Sequence, residues 1–126
     1  MSGFGFINDG RISMKNSINK LSVVIITKNE ERFIADAITS SLFANEVLIL
    51  DSDSTDKTCE IAKNLGVKVY QQKWLGFGAQ KNAAVALASN EWVFVLDSDE
   101  RITQELQHEI LKVLENPKSE GYFVAR

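Results

Sequence analysis

The chain has 126 residues, 44% of them apolar, with seven glycines and one proline, a composition typical of one folded domain and not of a disordered chain. Its 14 basic and 17 acidic residues give a formal net charge of −3, which argues against binding nucleic acid through a surplus of Lys and Arg. The single cysteine, Cys59, excludes an internal disulfide and a zinc site of several thiolates, which favours a reducing compartment.

Residues 1–20 differ from the rest of the chain. They mix Gly, Ser and Asn with isolated apolar residues at no regular period, so we predict a poorly ordered leader in front of one domain at residues 21–126. The leader has no continuous apolar segment of the kind found in a secretory signal, and no apolar run in the chain reaches the roughly 18 residues of a membrane span. We therefore expect a cytoplasmic globular protein.

From Leu21 onward, short apolar runs alternate with amphipathic segments. The runs predict strands that are buried on both faces, at residues 21–26, 47–50, 67–70 and 92–96, with a further strand beginning at 121–124. Apolar residues at helical spacing predict four helices. The first has an apolar stripe at 34–42, the second spans 58–65 and ends at Gly66, and the third spans about 79–89. The fourth has an apolar stripe at 106–114 and ends at Pro117. Asn29 and Thr103 are suited to cap the first and the last helix.

This alternation predicts an α/β fold with a mainly parallel sheet, helices on both faces and right-handed crossovers. In such sheets ligands bind at the carboxyl ends of the strands, and polar segments follow three of the predicted strands there, at 27–30, 51–56 and 97–100. Each segment alone also fits a simpler interpretation, since Asn29 and Thr55 can cap helices and acids favour helix N-termini. Caps do not explain two acids separated by one residue after two different strands. We therefore expect the three segments to form one site.

Asp97 and Asp99 are the strongest candidates for a chemical role. They follow the most apolar predicted strand, and side chains two residues apart in extended backbone point the same way. Two such carboxylates repel one another unless they share a cation. Hard oxygen ligands in small number suit Mg²⁺ or Mn²⁺ that is also bound by substrate phosphates, so the pair predicts a metal site.

A glycine-containing segment, Gly76-Phe77-Gly78, precedes the third predicted helix. Glycines there allow the backbone to approach a ligand closely, and Lys81 in the first turn can reach a phosphate. An ordinary loop with a solvated lysine explains the same residues.

The remaining candidates favour structural roles. His108, the only histidine, is expected on the surface of the last helix, and it excludes a site of several histidines. Cys59 is expected as a small buried apolar residue and Trp92 as a packing residue. Trp74 lies in a loop and suits either packing or stacking on a ligand.

Taken together, the motifs resemble a known family. The segments VVIITKNEE, VLILDSDSTDKT and GFGAQKNAAVALASNEWVFVLDSDE occur in the order found in the nucleotide-sugar half of inverting family 2 glycosyltransferases with the GT-A fold. The resemblance covers Leu21 to about Arg126 and is closest to the lipopolysaccharide-core β-glucosyltransferases of Gram-negative bacteria. It implies a Rossmann-like nucleotide-binding domain that binds a nucleoside-diphosphate sugar.

The resemblance implies a role for each matching position. At the nucleoside end, the pocket would be lined by Thr27, Asn29 and Glu30. Asp51 would contact the base, but many relatives carry a second acid where this chain has Ser52. Asp51 and Asp53 are therefore both candidates for that contact.

At the diphosphate end, the resemblance implies that Lys81 approaches the diphosphate or the adjoining ribose. Asp97 and Asp99 would form the Asp-x-Asp pair that binds the donor, and Asp99 would be the main ligand of a divalent ion, Mg²⁺ or Mn²⁺. The ion and the lysine would stabilise the charge that develops on the leaving diphosphate.

The implied reaction is inverting transfer of a hexose, from a UDP-sugar to a lipopolysaccharide-core or other lipid-linked saccharide. Such a transfer needs a carboxylate base, which the family carries in its acceptor half. Because the chain stops at Arg126, partway through a predicted strand, we expect that half and the base to be absent from it. Peripheral contact with the inner face of the bacterial inner membrane and pairing of two copies through an exposed strand edge are further expectations.

Three alternatives remain open from the sequence. Asp51-Ser-Asp53-Ser-Thr55 fits the Asp-x-Asp-x-Thr pattern of haloacid-dehalogenase phosphatases, although those place it on the first strand and here a strand and a helix precede it. A response-regulator receiver has a similar length and alternation but needs an acidic pair after its first strand. A truncated chain that binds a nucleotide sugar without transferring the sugar is the third alternative.

Overall fold

The computed structural model describes residues 5–7 and 20–115 of the chain. Within these residues, β1 spans Gly5–Ile7, β2 Leu21–Thr27, α1 Ile34–Ser41, β3 Glu46–Asp51, α2 Thr58–Asn64, β4 Lys68–Gln71, α3 Phe77–Leu87, β5 Trp92–Asp97 and α4 Gln104–Glu115. The strands form one sheet in the order β1-β5-β2-β3-β4. Strands β5, β2, β3 and β4 run parallel, whereas β1 pairs antiparallel with β5, so the predicted mainly parallel sheet is confirmed.

Side chains alternate between two apolar cores along the central strands. Within β5, Phe94 and Leu96 belong to one core and Val93 and Val95 to the other. The first core packs α1, α2 and α4 against the sheet, and the second packs α3 against the opposite face. Both faces of the strands are therefore buried, which explains their continuous apolar sequences and confirms the prediction of helices on both faces.

The register of the sheet aligns the carboxyl ends of its central strands. Thr27 at the end of β2 pairs with Asp51 at the end of β3, and Ile26 pairs with Asp97 at the end of β5. The polar segments that follow these strands therefore start at the same edge of the sheet. This edge is where ligands bind in open parallel sheets.

Glu46, the first residue of β3, links several elements at the amino ends of the strands. Its Oε1 accepts hydrogen bonds from the Ser22 hydroxyl at 2.7 Å and the Ser89 backbone N–H at 2.8 Å, and its Oε2 accepts one from the Ser89 hydroxyl at 2.9 Å. Lys68 Nζ lies 3.5 Å from Oε2. Burial opposes ionisation of this carboxyl, but the bonds from Ser89, Ser22 and Lys68 outweigh it and lower the pKa of Glu46.

The helices lie close to their predicted positions, although α3 spans Phe77–Leu87 where the sequence predicted about 79–89, and α1 starts later than a cap at Asn29 would place it. Gly66, with φ of 84°, follows α2 as predicted, and the Leu106 N–H donates to Thr103 Oγ1 at 3.1 Å, so Thr103 caps α4. The prediction that Asn29 caps α1 is wrong, because α1 begins at Ile34 and Phe33 precedes it without a capping side chain.

One strand lies inside the predicted leader, since Gly5–Ile7 forms β1 and pairs with Val93–Val95 of β5. The rest of residues 1–19 lies outside the described residues, as do the predicted stop at Pro117 and the predicted strand at 121–124. Among the helices between residues 34 and 115, none combines the length and apolar character needed to cross a bilayer.

Candidate functional site

A cleft of about 420 Å³ lies at the carboxyl ends of β2 and β5. Five of the residues predicted for the site line it, namely Thr27, Glu30, Lys81, Asp97 and Asp99. Lys28, Ser98 and two aromatic residues from the loop and first turn after β4 complete most of its wall. Two residues predicted for the site, Asn29 and Asp51, are not among those that line the cleft.

Asp97 and Asp99 lie in the turn that ends β5. Asp97 is half-buried as the last residue of the strand, Asp99 is exposed, and the Glu100 N–H donates to the Asp97 carbonyl at 3.0 Å to close the turn. Within residues 5–7 and 20–115, neither carboxylate is engaged in a hydrogen bond or an ion pair. Both carboxylates are therefore available to a ligand in the cleft.

The donor set at this turn fits Mg²⁺ or Mn²⁺ bound together with phosphate. No cluster of three or more His, Cys, Asp or Glu side chains suited to a metal occurs in the described part of the chain, so these two carboxylates stand as a pair. A divalent ion here needs further oxygen ligands from outside the protein. Mg²⁺ sites of that kind use one or two carboxylates together with substrate phosphates and water.

Asp51 occupies a different environment, with no exposed surface. Its carboxylate accepts the Thr27 hydroxyl at 2.6 Å, the Ser54 N–H at 2.8 Å, the Ser54 hydroxyl at 2.5 Å and Gln71 Nε2 at 3.1 Å. These bonds join the ends of β2, β3 and β4. A direct contact of Asp51 with the base does not follow from this geometry, because its oxygens are already used and do not face the cleft.

The hydrogen bonds keep this buried carboxyl ionised. Burial alone would raise its pKa, but the bonds from Ser54, Thr27 and Gln71 outweigh burial and lower the pKa of Asp51. The neighbouring Cys59 responds in the opposite direction, because burial and the negative charge of Asp51 raise the pKa of its thiol. Cys59 is half-buried and Gln71 Nε2 lies 3.3 Å from its Sγ, so the prediction of a simple buried apolar residue is wrong.

Asn29 organises the loop that follows β3. With φ of 53°, it directs its Oδ1 at the backbone N–H groups of Thr55 and Asp56, at 2.7 and 3.3 Å, and its own N–H donates to Ser54 Oγ at 2.7 Å. Asparagine tolerates this left-handed conformation better than most residues. Its part in the site is thus to join the loop after β2 to the loop after β3.

Glu30 is placed by a contact with α2. Its N–H donates to Thr58 Oγ1 at 2.8 Å, and Thr58 in turn donates its own N–H to Asp56 Oδ1 at 2.9 Å. Asp56 therefore accepts a backbone N–H at the start of α2. Thr55, which the sequence allowed as a cap, does not cap this helix.

The start of α3 places Lys81 in the cleft. Gly76 has φ of 100° and ψ of 157°, a region of backbone conformation that is essentially restricted to glycine. The Gln80 N–H donates to the Gly76 carbonyl at 2.8 Å, which begins the helix, and Lys81 follows as a half-buried residue of the cleft wall.

Gln80 is a functional neighbour that the sequence analysis missed. Its side chain is completely buried, its Oε1 accepts the Leu75 N–H at 3.1 Å, and its Nε2 donates to the Gln72 carbonyl at 3.4 Å. These bonds hold the loop between β4 and α3. The available signal was a glutamine on the apolar side of a helix, three residues before Ala83 and four before the buried Ala84.

The tryptophans differ in their surroundings. Trp92 is 1% exposed in the first core, so its predicted packing role is confirmed. Trp74 is 48% exposed, lines the cleft and makes a perpendicular contact with Phe77, with 4.9 Å between the ring centroids. His108 is exposed on α4, as expected, and is not among the residues that line the cleft.

Comparison with known sequences identifies relatives of this chain. An uncharacterized glycosyltransferase of Rickettsia typhi is 44% identical over 106 residues, which is 83% of this chain and 36% of the relative. The lipopolysaccharide core biosynthesis glycosyltransferase LpsC of Rhizobium meliloti is 34% identical over 113 residues, 84% of this chain and 42% of LpsC. The chain thus spans about two fifths or less of the length of these two relatives.

Solved structures with the same fold include TarS of S. aureus and a mycobacterial synthase. S. aureus TarS 1–349 superposes with a TM-score of 0.66 at 29% identity, over 76% of this chain and 32% of that structure. Glucosyl-3-phosphoglycerate synthase from Mycobacterium tuberculosis, in complex with Mn²⁺, UDP and glucosyl-3-phosphoglycerate, superposes with a TM-score of 0.59 at 28% identity, over 66% and 36%. The family described as glycosyl transferase family 2 matches residues 22–126. This chain therefore belongs to glycosyl transferase family 2.

Proposed function

We propose that the chain binds a UDP-sugar together with Mg²⁺ or Mn²⁺, as the donor-binding part of an inverting hexosyltransferase. The observation that carries the proposal is that one cleft is lined by Asp97, Asp99 and Lys81, and that no residue among 5–7 and 20–115 forms a hydrogen bond or ion pair with either carboxylate. The crystal structures of the mycobacterial synthase with UDP and Mn²⁺ support the choice of ligand. The likeness to LpsC supports an acceptor of the lipopolysaccharide-core or another lipid-linked saccharide class.

At the diphosphate end, Asp97 and Asp99 would hold the divalent ion, with Asp99 as the more exposed ligand. The ion, when bound, supplies positive charge that stabilises the leaving diphosphate. Lys81 adds a second positive charge from the side of α3, where it faces the same cleft. Charge supplied where negative charge develops favours the transition state over the ground state.

At the nucleoside end, Thr27 and Glu30 line the cleft and would contact the donor directly. Asn29 and Asp51 would act through other residues, because their side chains hold the loops after β2 and β3 in place. Asp53 is not among the residues that line the cleft either, but it is exposed in the loop after β3 and is therefore the acid that remains accessible for a contact with the base.

No catalytic base is assigned among residues 20–115. The carboxylates of the cleft wall belong to Glu30, Asp97 and Asp99, which already have roles toward the donor. We place the base and the acceptor site in the part of the relatives that this chain does not match. A chain that binds the donor without transferring the sugar is the alternative.

The phosphatase alternative is disfavoured by the surroundings of Asp51. A phosphatase of that class needs this carboxylate as a nucleophile at an open site. Here the carboxylate is fully buried and accepts four hydrogen bonds. We propose in addition a cytoplasmic location with peripheral contact at the inner face of the membrane, where lipid-linked acceptors lie.

Calorimetric titration with UDP and UDP-glucose, with and without Mn²⁺, tests the proposed function. We expect binding that depends on Mn²⁺ and that loses this dependence in Asp99→Ala. Asp36→Ala on α1 is the matched control, because it removes another exposed carboxylate, which lies outside the cleft. Metal-independent binding by the wild-type chain, or equal effects of the two substitutions, would contradict the proposed metal site.

Transfer of hexose to a lipopolysaccharide-core saccharide, assayed with the same chain, separates the two functional alternatives. Product formation supports a complete transferase. Donor binding without product supports the binding-only alternative, and hydrolysis of simple phosphomonoesters that is lost in Asp51→Asn would restore the phosphatase interpretation.

A further inference from the structure

Three large apolar side chains stay exposed within four residues of the loop and first turn after β4. Trp74 is 48% exposed, Leu75 51% and Phe77 75%, and we call these three residues the apolar tip. None of them belongs to either apolar core. Because the fold gains little from apolar groups that it leaves in water, a cluster of them indicates a surface that binds a partner.

The backbone under the apolar tip is fixed by hydrogen bonds. The Leu75 N–H donates to Oε1 of the buried Gln80 at 3.1 Å, and Gln80 Nε2 donates to the Gln72 carbonyl at 3.4 Å. The Gln72 N–H in turn donates to the Asp51 carbonyl at 2.9 Å. The loop is thus attached to α3 and to the end of β3, so it can present the apolar tip without being ordered first.

The charge around the apolar tip is positive. Residues 61–90 contain four lysines and no acidic residue, although the whole chain has a net charge of −3. Lys73, which directly precedes Trp74, is exposed, and its ammonium forms no ion pair within residues 5–7 and 20–115. Asp97 and Asp99 in the same cleft oppose this charge, but the proposed metal ion would neutralise them. The surface therefore complements an anionic partner.

The chemistry of these side chains fits the surface of a bilayer. An indole ring combines a large apolar body with one N–H donor, and tryptophan is enriched at the interface between lipid and water. In the part of the chain that the structure describes, nothing accepts a hydrogen bond from the Trp74 N–H. A lysine can bury its aliphatic stem in the same layer and keep its ammonium near the lipid phosphates. An anionic bilayer thus offers a partner to each of these groups.

We propose that the apolar tip and Lys73 bind the surface of an anionic lipid bilayer. This inference rests on the proposed function, in which the acceptor is lipid-linked, and it identifies the part of the chain that makes the peripheral contact. Trp74 and Phe77 also line the donor cleft, whereas Leu75 and Lys73 do not. The contact would therefore place the bilayer at the rim of the cleft, where the saccharide of a lipid-linked acceptor can meet the donor.

Co-sedimentation with lipid vesicles tests the apolar part of the contact. We expect the chain to bind vesicles of phosphatidylethanolamine and phosphatidylglycerol, and to bind vesicles of phosphatidylcholine alone far more weakly. Leu75→Ser should weaken binding to the anionic vesicles about tenfold, since a buried leucine is lost. Leu42→Ser is the matched control, because Leu42 is also 51% exposed but lies outside the apolar tip, at the end of α1. Equal effects of the two substitutions would overturn the proposal.

The charged part of the contact has its own variant. Lys73→Gln should weaken binding to the anionic vesicles about fivefold, the effect expected of one lysine at a negatively charged surface. High salt should remove the difference between this variant and the wild type, since it screens the charge. Lys112→Gln, at an exposed position of α4, is the control. A loss in Lys112→Gln as large as in Lys73→Gln would contradict a contact at the apolar tip.

Intrinsic fluorescence reports which residue enters the interface. The chain has two tryptophans, and Trp92 is buried in the core, so a shift to shorter wavelength on anionic vesicles should come from Trp74 and disappear in Trp74→Phe. Bound vesicles without this shift would overturn the proposal. A dimer in sedimentation equilibrium that Leu75→Ser dissociates would also overturn it, in favour of a second copy as the partner.

Calorimetry with UDP and Mn²⁺ in the absence of vesicles separates this inference from the proposed function. Leu75→Ser and Lys73→Gln should bind UDP as the wild type does, because neither residue lines the cleft. A wild-type chain that binds UDP but no vesicles would overturn the bilayer contact alone. A chain that binds the anionic vesicles through the apolar tip but does not bind UDP would overturn the proposed function and support the contact.

Discussion

The hydroxyl of Thr27 donates a hydrogen bond of 2.6 Å to the buried carboxylate of Asp51, across the paired ends of β2 and β3. Neither oxygen of Asp51 is left to water, because Ser54 and Gln71 supply the remaining donors. One of the acids at the predicted site is thus a structural centre that joins three strand ends. The two acids that we propose to hold the metal, Asp97 and Asp99, lie on the turn after β5, two strands away in the sheet.

Replacing Thr27 by valine removes the hydroxyl and keeps the shape of the side chain. We expect a loss of about 1–3 kcal/mol in the free energy of unfolding, since a buried carboxylate loses one donor. Urea denaturation measures the change. Thr39→Val, at an exposed position of α1, is the matched control and should change the free energy by less than about 0.5 kcal/mol. Equal effects of the two substitutions would show that the Thr27–Asp51 bond does not contribute.

The lowered pKa of Asp51 predicts how stability depends on pH. Its contribution is fully present above the ordinary pKa of 3.8 and is lost as the pH falls from there through the lower pKa of the folded state. In this acid range the unfolded chain binds more protons than the folded chain, so the free energy of unfolding falls with falling pH. Asp51→Asn should lower stability at neutral pH and reduce this slope. An unchanged slope in urea titrations at several pH values would contradict the prediction.

Two glycines at the start of α3 should respond to alanine with opposite signs. Gly76 has φ of 100°, and a side chain at this conformation is strained even though a Cβ there would meet nothing within 4 Å, so Gly76→Ala should cost about 1–3 kcal/mol. Gly78 lies inside the helix without that strain, and a Cβ there also meets nothing, so Gly78→Ala should stabilise by up to about 1 kcal/mol. Thermal melting of both variants checks the pair, and changes of the same sign would contradict it.

Lys81→Met should weaken UDP binding about tenfold, because it removes one charge-assisted contact with the diphosphate. Binding of uridine, which has no phosphate, should be unaffected. Titrations at low and high salt should show a weaker salt dependence in Lys81→Met than in the wild type, since screening acts on the charge that was removed. Lys63→Met, at an exposed position of α2, is the control, and a loss as large as that of Lys81→Met would remove the special role of Lys81.

The sequence was sufficient to predict the elements from β2 to α4 and their order, whereas β1 lies inside the segment predicted to be a poorly ordered leader. Runs such as WVFVL are buried on both faces, so their composition alone marks them as strands, and the alternation with helices then limits the topology. The strand ends also predicted that the segments 27–30, 51–56 and 97–100 start at one edge of the sheet, and the family resemblance added Lys81 to that site. The register of the sheet then aligns the carboxyl ends of the central strands.

The environment of Asp51 was beyond local sequence reasoning. Its partner Gln71 comes from β4, 20 residues later, and nothing in the spacing of the segment 51–56 indicates that this glutamine completes the shell of donors. The later start of α1 also depends on contacts between residues that are far apart in the sequence. Asn29 looks like a cap in sequence, but its Oδ1 is used by the backbone of Thr55 and Asp56, more than 25 residues away.

The double contact of Ser89 with Glu46 has a consequence at the other end of α3. Ser89 follows the helix and is fixed to β3, while the first turn of the helix is fixed to the preceding loop through Gln80. Both ends of α3 are thus fixed by hydrogen bonds. The backbone position of Lys81 relative to the sheet is therefore set before the proposed nucleotide binds. Only the flexible stem of that side chain has to be ordered on binding, at an entropic cost of about 2 kcal/mol or less.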